Sequence, residues 1–321
     1  MSDGMRVSSR PVPGSALRLS LLGIDLLPST LGPPTADERN AALLRRARLA
    51  GVTTFRVPGG VGAPRAERLL ATALPGPDAD LVTIGVRSFS ELVSEGARSE
   101  STRLAEDLEV RLRDSLSTSA ARLGGTGYRV LEWDAGSEDE APPESAAQVL
   151  ERLRAEGRFD LVAHRSDGHT GSEAGLRTGD LSLLDLRALP TLRDAADRAP
   201  IGFVARDPFA EGRLDGSRFA MAGGVRGPDE LPPTLRQLHR DFDPVLRLGF
   251  LTDSRERTLA QASLQFLFHW PWVASVLVPL PSPERLEEFL AASSRPPLTD
   301  EEVDRALATL GPASGVSREL I

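Results

Sequence analysis

Charged residues stand at the ends of several short apolar runs. Arg56 lies in VTTFRV, Arg87 follows LVTIGV, Glu132 and Asp134 close YRVLEWD, Arg165 follows FDLVAH, and Asp185 lies in SLLDLR. Carboxylates that face guanidinium groups across one pocket do one of two things. They form structural ion pairs, or they make an anion clamp beside a carboxylate that takes and returns a proton. Arginine stays protonated at physiological pH, so Arg56 and Arg87 would steady negative charge without shuttling protons. His164, Asp167 and His169 lie close together and are of metal-ligating type. Their spacing follows no helical or hairpin logic, however, and no metal is expected. No Gly-x-Ser-x-Gly elbow supports a hydrolase triad.

Composition closes off other chemistries. The chain has 321 residues and no cysteine, so disulfides, thiolate metal sites and cysteine nucleophiles are excluded. All 38 basic residues are arginine, which rules out a lysine Schiff base, and Tyr128 is the single tyrosine. With 46 acidic residues the formal net charge is −8. An acidic chain without a basic run lacks the stripe that nucleic acid requires, so the expected partner is a small molecule. The longest apolar stretch near the C-terminus, Val273 to Leu280, is far below the roughly 20 residues of a membrane helix. No membrane association is expected, no signal peptide opens the chain, and a cytoplasmic location is the expectation.

The elements that must position these residues alternate. Strand patterns fall at 21–26, 52–57, 81–86, 128–133, 159–164, 182–187, 201–206 and 274–278. Amphipathic patterns at 37–49 and 101–122 lie among them. Thr35 with Glu38, and Thr299 with Glu302, have the spacing of capping boxes. Eight strands trailed by helical connections predict a single (β/α)8 TIM barrel over 1–321, with 1–18 a flexible N-terminal segment. In such a barrel the chemistry sits at the C-terminal mouth. The segment 207–233 reads as a lid and 134–145 as an acidic surface loop.

Three stretches carry a family likeness. GVTTFRVPGGVGAPRAERLLATAL (51–74) resembles the aldo-keto reductase segment in which a strand ends in Asp-Thr-Ala, Tyr-Gly follows, and a helix carries Ser-Glu-Arg-Leu-Leu. ARDPFAEGRLDG (205–216) resembles that family's seventh-strand loop around the cofactor pyrophosphate. The stretch 258–290 resembles its C-terminal signature, where a helix grips the adenosine phosphate of NADPH. The resemblance implies cofactor contacts at Pro208, Gly212, Leu214, Ser282 and Arg285; Ser282 and Pro283 open a helix whose free amides favour an anion.

The same resemblance implies that the reductase tetrad is missing. The family's aspartate, tyrosine and lysine positions hold Arg56, Val61 and Val86, with Arg87 beside the last, and its histidine position holds Glu132 or Asp134. The nicotinamide-amide pair corresponds to Arg165 and Ser166, and the sixth-strand glutamine to Asp185. Phe289 and Leu280 replace an adenine-binding asparagine and a glycine. The expectation is a non-reductive enzyme of lyase, dehydratase, isomerase or cyclase type. Glu132 or Asp134 would move the proton and Arg56 would stabilise developing negative charge; no cofactor is expected beyond residual NADP(H) binding. The alternatives are a non-catalytic barrel that works through a protein partner, and an atypical NADPH-dependent oxidoreductase.

Overall fold

The computed structural model describes residues 6–88, 92, 101–134, 144–165, 175–217, 243–252 and 257–310. It opens with an antiparallel hairpin, β1 (Ser9–Pro11) and β2 (Arg18–Ser20). Eight parallel strands then close on themselves: β3 (Leu22–Asp25), β4 (Thr54–Val57), β5 (Val82–Ser88), β6 (Val130–Asp134), β7 (Leu161–Arg165), β8 (Gly175–Asp180), β9 (Ile201–Arg206) and β10 (Val273–Pro279). Strand β10 pairs with both β9 and β3, which completes the (β/α)8 barrel. The described helices are α1 (Pro28–Leu31), α2 (Asp37–Leu49), α3 (Ala63–Ala73), α4 (Ser101–Arg122), α5 (Glu144–Ala155), α6 (Leu189–Arg198), α7 (Leu259–His269), α8 (Pro283–Ser294) and α9 (Asp300–Leu310).

Strand alternation divides the apolar side chains into two cores. Leu22, Ile24, Phe55, Val57 and Leu131 face outward and pack in the core shared with Leu44, Leu69 and Leu70 of the surrounding helices. Val82, Ile84, Val130, Ala163, Leu176, Val204 and Leu277 fill the barrel interior. Val12, Leu17 and Leu19 of the hairpin join this inner core and close the N-terminal face. The hairpin is fixed at both sides. Arg10 donates to the carbonyls of Phe268 and Trp270 at 2.5 Å and of Val273 at 2.7 Å, where the carbonyls at the end of α7 run out of internal donors. Ser20 Oγ accepts from the amides of Thr53 and Thr54 at 2.9 and 3.0 Å, beside the start of β4.

Several sequence expectations need correction. Within the segment 1–18 expected to be flexible, residues 9–18 belong to the hairpin that plugs the barrel, because their apolar residues have an open barrel end to cover. The sixth strand is Gly175–Asp180 rather than 182–187. Its six residues pair along β9, whereas the leucines of the 182–187 run turn outward: Ser182 bridges Asp185, and Leu183 and Leu186 pack in the outer core. Thr35 and Glu38 do not form a capping box, since a 3-10 turn over Pro34–Ala36 precedes α2 and no side chain caps it. Thr299 and Glu302 do exchange reciprocal bonds, at 2.9 and 3.2 Å. Most of the expected lid and acidic loop lies outside the described residues.

On β5, the ring of Tyr128 lies against Gly85 so closely that an added Cβ would sit 2.3 Å from a ring carbon. Gly85→Ala should therefore cost about 1–3 kcal/mol through overpacking, measurable by urea denaturation.

Candidate functional site

The inward face of a strand ends at the barrel mouth, and parity decides which charged residues reach it. Leu22 and Ile24 point outward, so Asp25 points in; Phe55 and Val57 point outward, so Arg56 points in. Glu132 shares the inner face with Val130, Thr178 with Leu176, and Arg206 with Val204. These side chains form one network. Arg56 Nε and Nη2 donate to both oxygens of Glu132 at 2.7 and 2.9 Å, and Nη1 donates to Asp25 Oδ2 at 2.9 Å. Arg206 reaches Glu132 Oε1 at 3.3 Å and Asp180 Oδ1 at 2.9 Å. Asp25, Arg56 and Glu132 are only 5%, 6% and 1% exposed.

Burial works against the charge on Arg56, yet Asp25 and Glu132 hold its guanidinium above the ordinary arginine range. The pKa of Asp25 is raised as well, which for a carboxyl favours the neutral form. Burial, with Glu132 adding to it, pushes its carboxyl above the usual aspartate value even though Arg56 and Arg206 pull it down. Three carboxyl groups, Asp25, Glu132 and Asp180, face the two guanidinia of Arg56 and Arg206. Asp25 Oδ1 makes no hydrogen bond among the described residues.

The candidates singled out from sequence divide by location. Arg56 and Glu132 come together at the mouth. Asp134, on the inner face two residues further along β6, pairs with Arg165 at 3.2 Å on the partly exposed rim. Arg87 does not reach the mouth, because it pairs in register with Trp133 on the outward face while Val86 pairs with Glu132 on the inward one. It donates instead to Ser115 and Ser119 of α4 at 2.8 and 2.5 Å, lies 5.2 Å from the Tyr128 ring centroid, and stands 3.9 Å from the buried Glu67. Asp185 pairs with Arg187 outside the barrel. Asp25, Thr178, Asp180 and Arg206 were missed. The signal for Asp25 and Arg206 was legible: each is the one charged residue ending an otherwise apolar strand, LLGID and IGFVAR.

The loop that follows β9 is backbone-strained. Asp207, Ala210 and Glu211 have φ of 45°, 49° and 58°, a region that side-chain-bearing residues seldom adopt. Asp207 holds it by accepting from the Glu211 amide at 2.8 Å, and burial raises its carboxyl to about 6. Of the expected cofactor residues, Pro208 and Leu214 are buried and Gly212 has φ 83°. Ser282 caps α8 and donates to Glu284, while Arg285 binds Glu288 at 2.6 Å and the Asp215 carbonyl. Beside them is a cavity of about 200 Å3 lined in part by Arg213, Gly216, Thr258 and Arg285. Phe289 stacks on Phe209 at 4.8 Å between centroids. The residues therefore offer an anion-sized recess, but Ser282 and Arg285 are already engaged with the protein itself. Among the described residues no group of three or more ligating side chains is placed for a metal; Asp167, His169 and Ser166 lie outside them, and burial lowers the pKa of His164.

No protein-family model and no curated protein matches the chain. Solved structures do. Aldo-keto reductase AKR11C1 from Bacillus halodurans, in its holo form, is 17% identical with a TM-score of 0.68, covering 98% of this chain and 99% of that one. The glycerol dehydrogenase AKR11B4 from Gluconobacter oxydans is 15% identical with a TM-score of 0.72, over 96% and 97%. The thermostable aldo-keto reductase Tm1743, in complex with the inhibitor epalrestat, is 15% identical with a TM-score of 0.70, over 94% and 99%.

The chain has the aldo-keto reductase fold. In this aldo-keto-reductase-like barrel no described helix is long and apolar enough to cross a membrane. At so low an identity the likeness concerns architecture, and the chemistry has to be argued from the side chains at the mouth.

Two outcomes follow from the electrostatics. Arg56→Met should destabilise the fold by about 3–5 kcal/mol at pH 7, since Asp25 and Glu132 then remain buried with less compensation. The variant's folded state would bind protons more tightly than its unfolded chain, so part of the loss returns as pH falls. Asp207 is raised in the folded state, so its contribution to stability falls as pH rises from about 4 through about 6. Asp207→Asn, which keeps the acceptor for the Glu211 amide, should gain about 1–2 kcal/mol at pH 7, after allowance for partial exposure, and almost nothing at pH 4. Thermal denaturation across that pH range measures both.

Proposed function

We propose that this barrel acts on a small organic molecule at its C-terminal mouth without hydride transfer, as a lyase, dehydratase, isomerase or cyclase in which a carboxylate moves a proton. The observation that carries the proposal is the buried cluster of Asp25, Arg56 and Glu132, in which Asp25 Oδ1 has no hydrogen-bond partner among the described residues. An aldo-keto reductase would need an acidified phenol there. The resemblance puts Arg56, Val61 and Val86 at the corresponding positions, and the chain has no lysine to acidify a phenol there. Val61 is fully exposed in a turn, and Tyr128 donates to Glu67 on the far side of the sheet, with its pKa raised by burial.

Asp25 is a better proton carrier than Glu132 or Asp134. Both Glu132 oxygens accept from guanidinium groups, which makes that carboxylate an anchor for Arg56 and Arg206. Asp134 is tied to Arg165 at the rim. Asp25 combines an oxygen that makes no hydrogen bond among the described residues with a pKa raised by burial, toward the range a general acid or base needs. Arg206 and Arg56 are placed to steady an anion that forms in the mouth. NADP(H) is not needed for such a reaction; the recess at Arg213 and Arg285 would account for residual binding of its phosphate end.

A second reading, a non-catalytic barrel that binds a small molecule and signals through a protein partner, is favoured by the complete pairing of Glu132. The first test addresses hydride transfer, which both readings exclude. The purified chain, supplied with NADPH and simple aldehydes, should show no steady oxidation of NADPH at 340 nm. Sustained turnover would overturn the proposal in favour of an atypical oxidoreductase.

A further inference from the structure

We infer that the face of the barrel opposite the mouth carries a second small-molecule site, one for an organic phosphate, in the cavity between the N-terminal hairpin and the chain entering β4, β5 and β6. The inference is independent of the chemistry at the mouth. The cavity measures about 420 Å3, within the range of small-molecule sites, and four arginines, Arg6, Arg18, Arg48 and Arg129, line it with one carboxylate, Asp80. Thr53 and Arg129 immediately precede β4 and β6, and Val82 opens β5, so these lining residues mark the N-terminal ends of the barrel strands. The length of the strands separates them from Asp25, Arg56 and Glu132. The wall formed by the start of the chain is fixed. Val7 is buried in the outer core, its amide donates to the Ala50 carbonyl at 2.8 Å, and the Leu21 amide donates to the Ser8 carbonyl at 2.8 Å. Gly51 permits this close pass: its φ is 93°, and an added Cβ would sit 3.0 Å from Arg6 Cγ and 3.1 Å from the Val7 carbonyl oxygen.

The charges show what the cavity suits. Arg48 and Arg129 are occupied in part, since Arg48 pairs with Asp78 and Arg129 with Asp160, each at 2.7 Å, and Arg48 also stands in the last turn of α2, where a cation favours the helix end. Arg6 and Arg18 pair with no carboxylate among the described residues. Arg18 donates to the hydroxyl and carbonyl oxygens of Ser9 at 3.0 and 2.7 Å, and Arg6 makes no hydrogen bond there. Four guanidinia thus meet three carboxylates in a chain whose net charge is −8, so this cavity runs against the charge of the molecule as a whole. Guanidinia that arrive from separate parts of the chain suit a phosphate, whose three terminal oxygens accept from several directions; a planar carboxylate is filled by one fork. Leu17 and Val82 give the organic part of the ligand an apolar wall. The overall negative charge opposes an extended polyanion or an anionic membrane, which leaves a compact phosphate ester.

The test titrates the full chain with phenyl phosphate by isothermal titration calorimetry, with benzoate and phenol as the carboxylate and neutral controls. Phenyl phosphate should bind about tenfold more tightly than either, and its affinity should fall as salt is raised, because the arginines are partly open to solvent. Arg6→Gln and Arg18→Gln should each weaken it about fivefold, and Asp80→Asn, which removes the lining carboxylate, should tighten it about twofold. Arg6→Gln and Asp80→Asn break no ion pair among the described residues, so their thermal unfolding should match that of the parent chain and any change in binding is not a change in fold. Equal binding of the three probes, no binding of phenyl phosphate, or unchanged affinity in both arginine variants would overturn the inference. Loss of binding in Arg285→Gln with Arg6→Gln unaffected would overturn it too, by placing the phosphate in the recess beside α8. Sedimentation of the chain with phosphatidylserine vesicles would overturn it in favour of a membrane surface.

Discussion

A guanidinium buried at the floor of a barrel mouth has to be paired, and the pairing of Arg56 organises everything around it. Its three nitrogens donate to Glu132 on one side and Asp25 on the other, which fixes the ends of β3, β4 and β6 relative to each other. Glu132 in turn fixes Arg206 at the end of β9, and Arg206 fixes Asp180 on β8. Five of the eight barrel strands thus end in one electrostatic unit. In a low-dielectric setting such a unit holds its geometry because any member removed alone leaves a charge uncompensated. Burial first, and Glu132 after it, raise the pKa of Asp25, whose Oδ1 is left without a hydrogen bond among the described residues.

A second charged unit lies on the other side of the same sheet. Glu67 of α3 receives Tyr128 at 2.5 Å and Arg122 at 3.1 Å, and Arg87 fills the space beside it. The two units are separated by the thickness of a strand and by nothing else in sequence: Val86 faces in and Arg87 faces out. The outer unit has no route to the mouth and serves to bind α3 and α4 to the sheet. The inner one faces the end of the barrel where this architecture places its loops. The opposite end is shut by the hairpin of β1 and β2, whose Leu17 and Leu19 close the inner core.

Much of the fold was readable because its repeat is local. Seven of the eight strands and the helices at 37–49 and 101–122 followed from apolar periodicity, and the C-terminal capping box from two residues three apart. The sixth strand was misplaced because LSLLDLR has the better alternation, while GLRTGD, with one aliphatic side chain, becomes a strand only through its ladder with β7 and β9. The site was legible in part. Arg56 and Glu132 stood out as charges at strand ends, whereas Arg87 looked equivalent to Arg56 in one dimension and differs from it by a single step of strand parity.

The sequence by itself determined that a lysine–tyrosine acid is unavailable, that no thiol chemistry exists, and that eight strand–helix units form a barrel, because each of these depends on residue type or on short-range spacing. Only the tertiary structure decided which charges meet. Asp25, Glu132 and Arg206 are separated by scores of residues along the chain, and whether a carboxylate is quenched by two guanidinia or left with a free oxygen is set by closure of the barrel, which brings distant strand ends to within hydrogen-bonding distance.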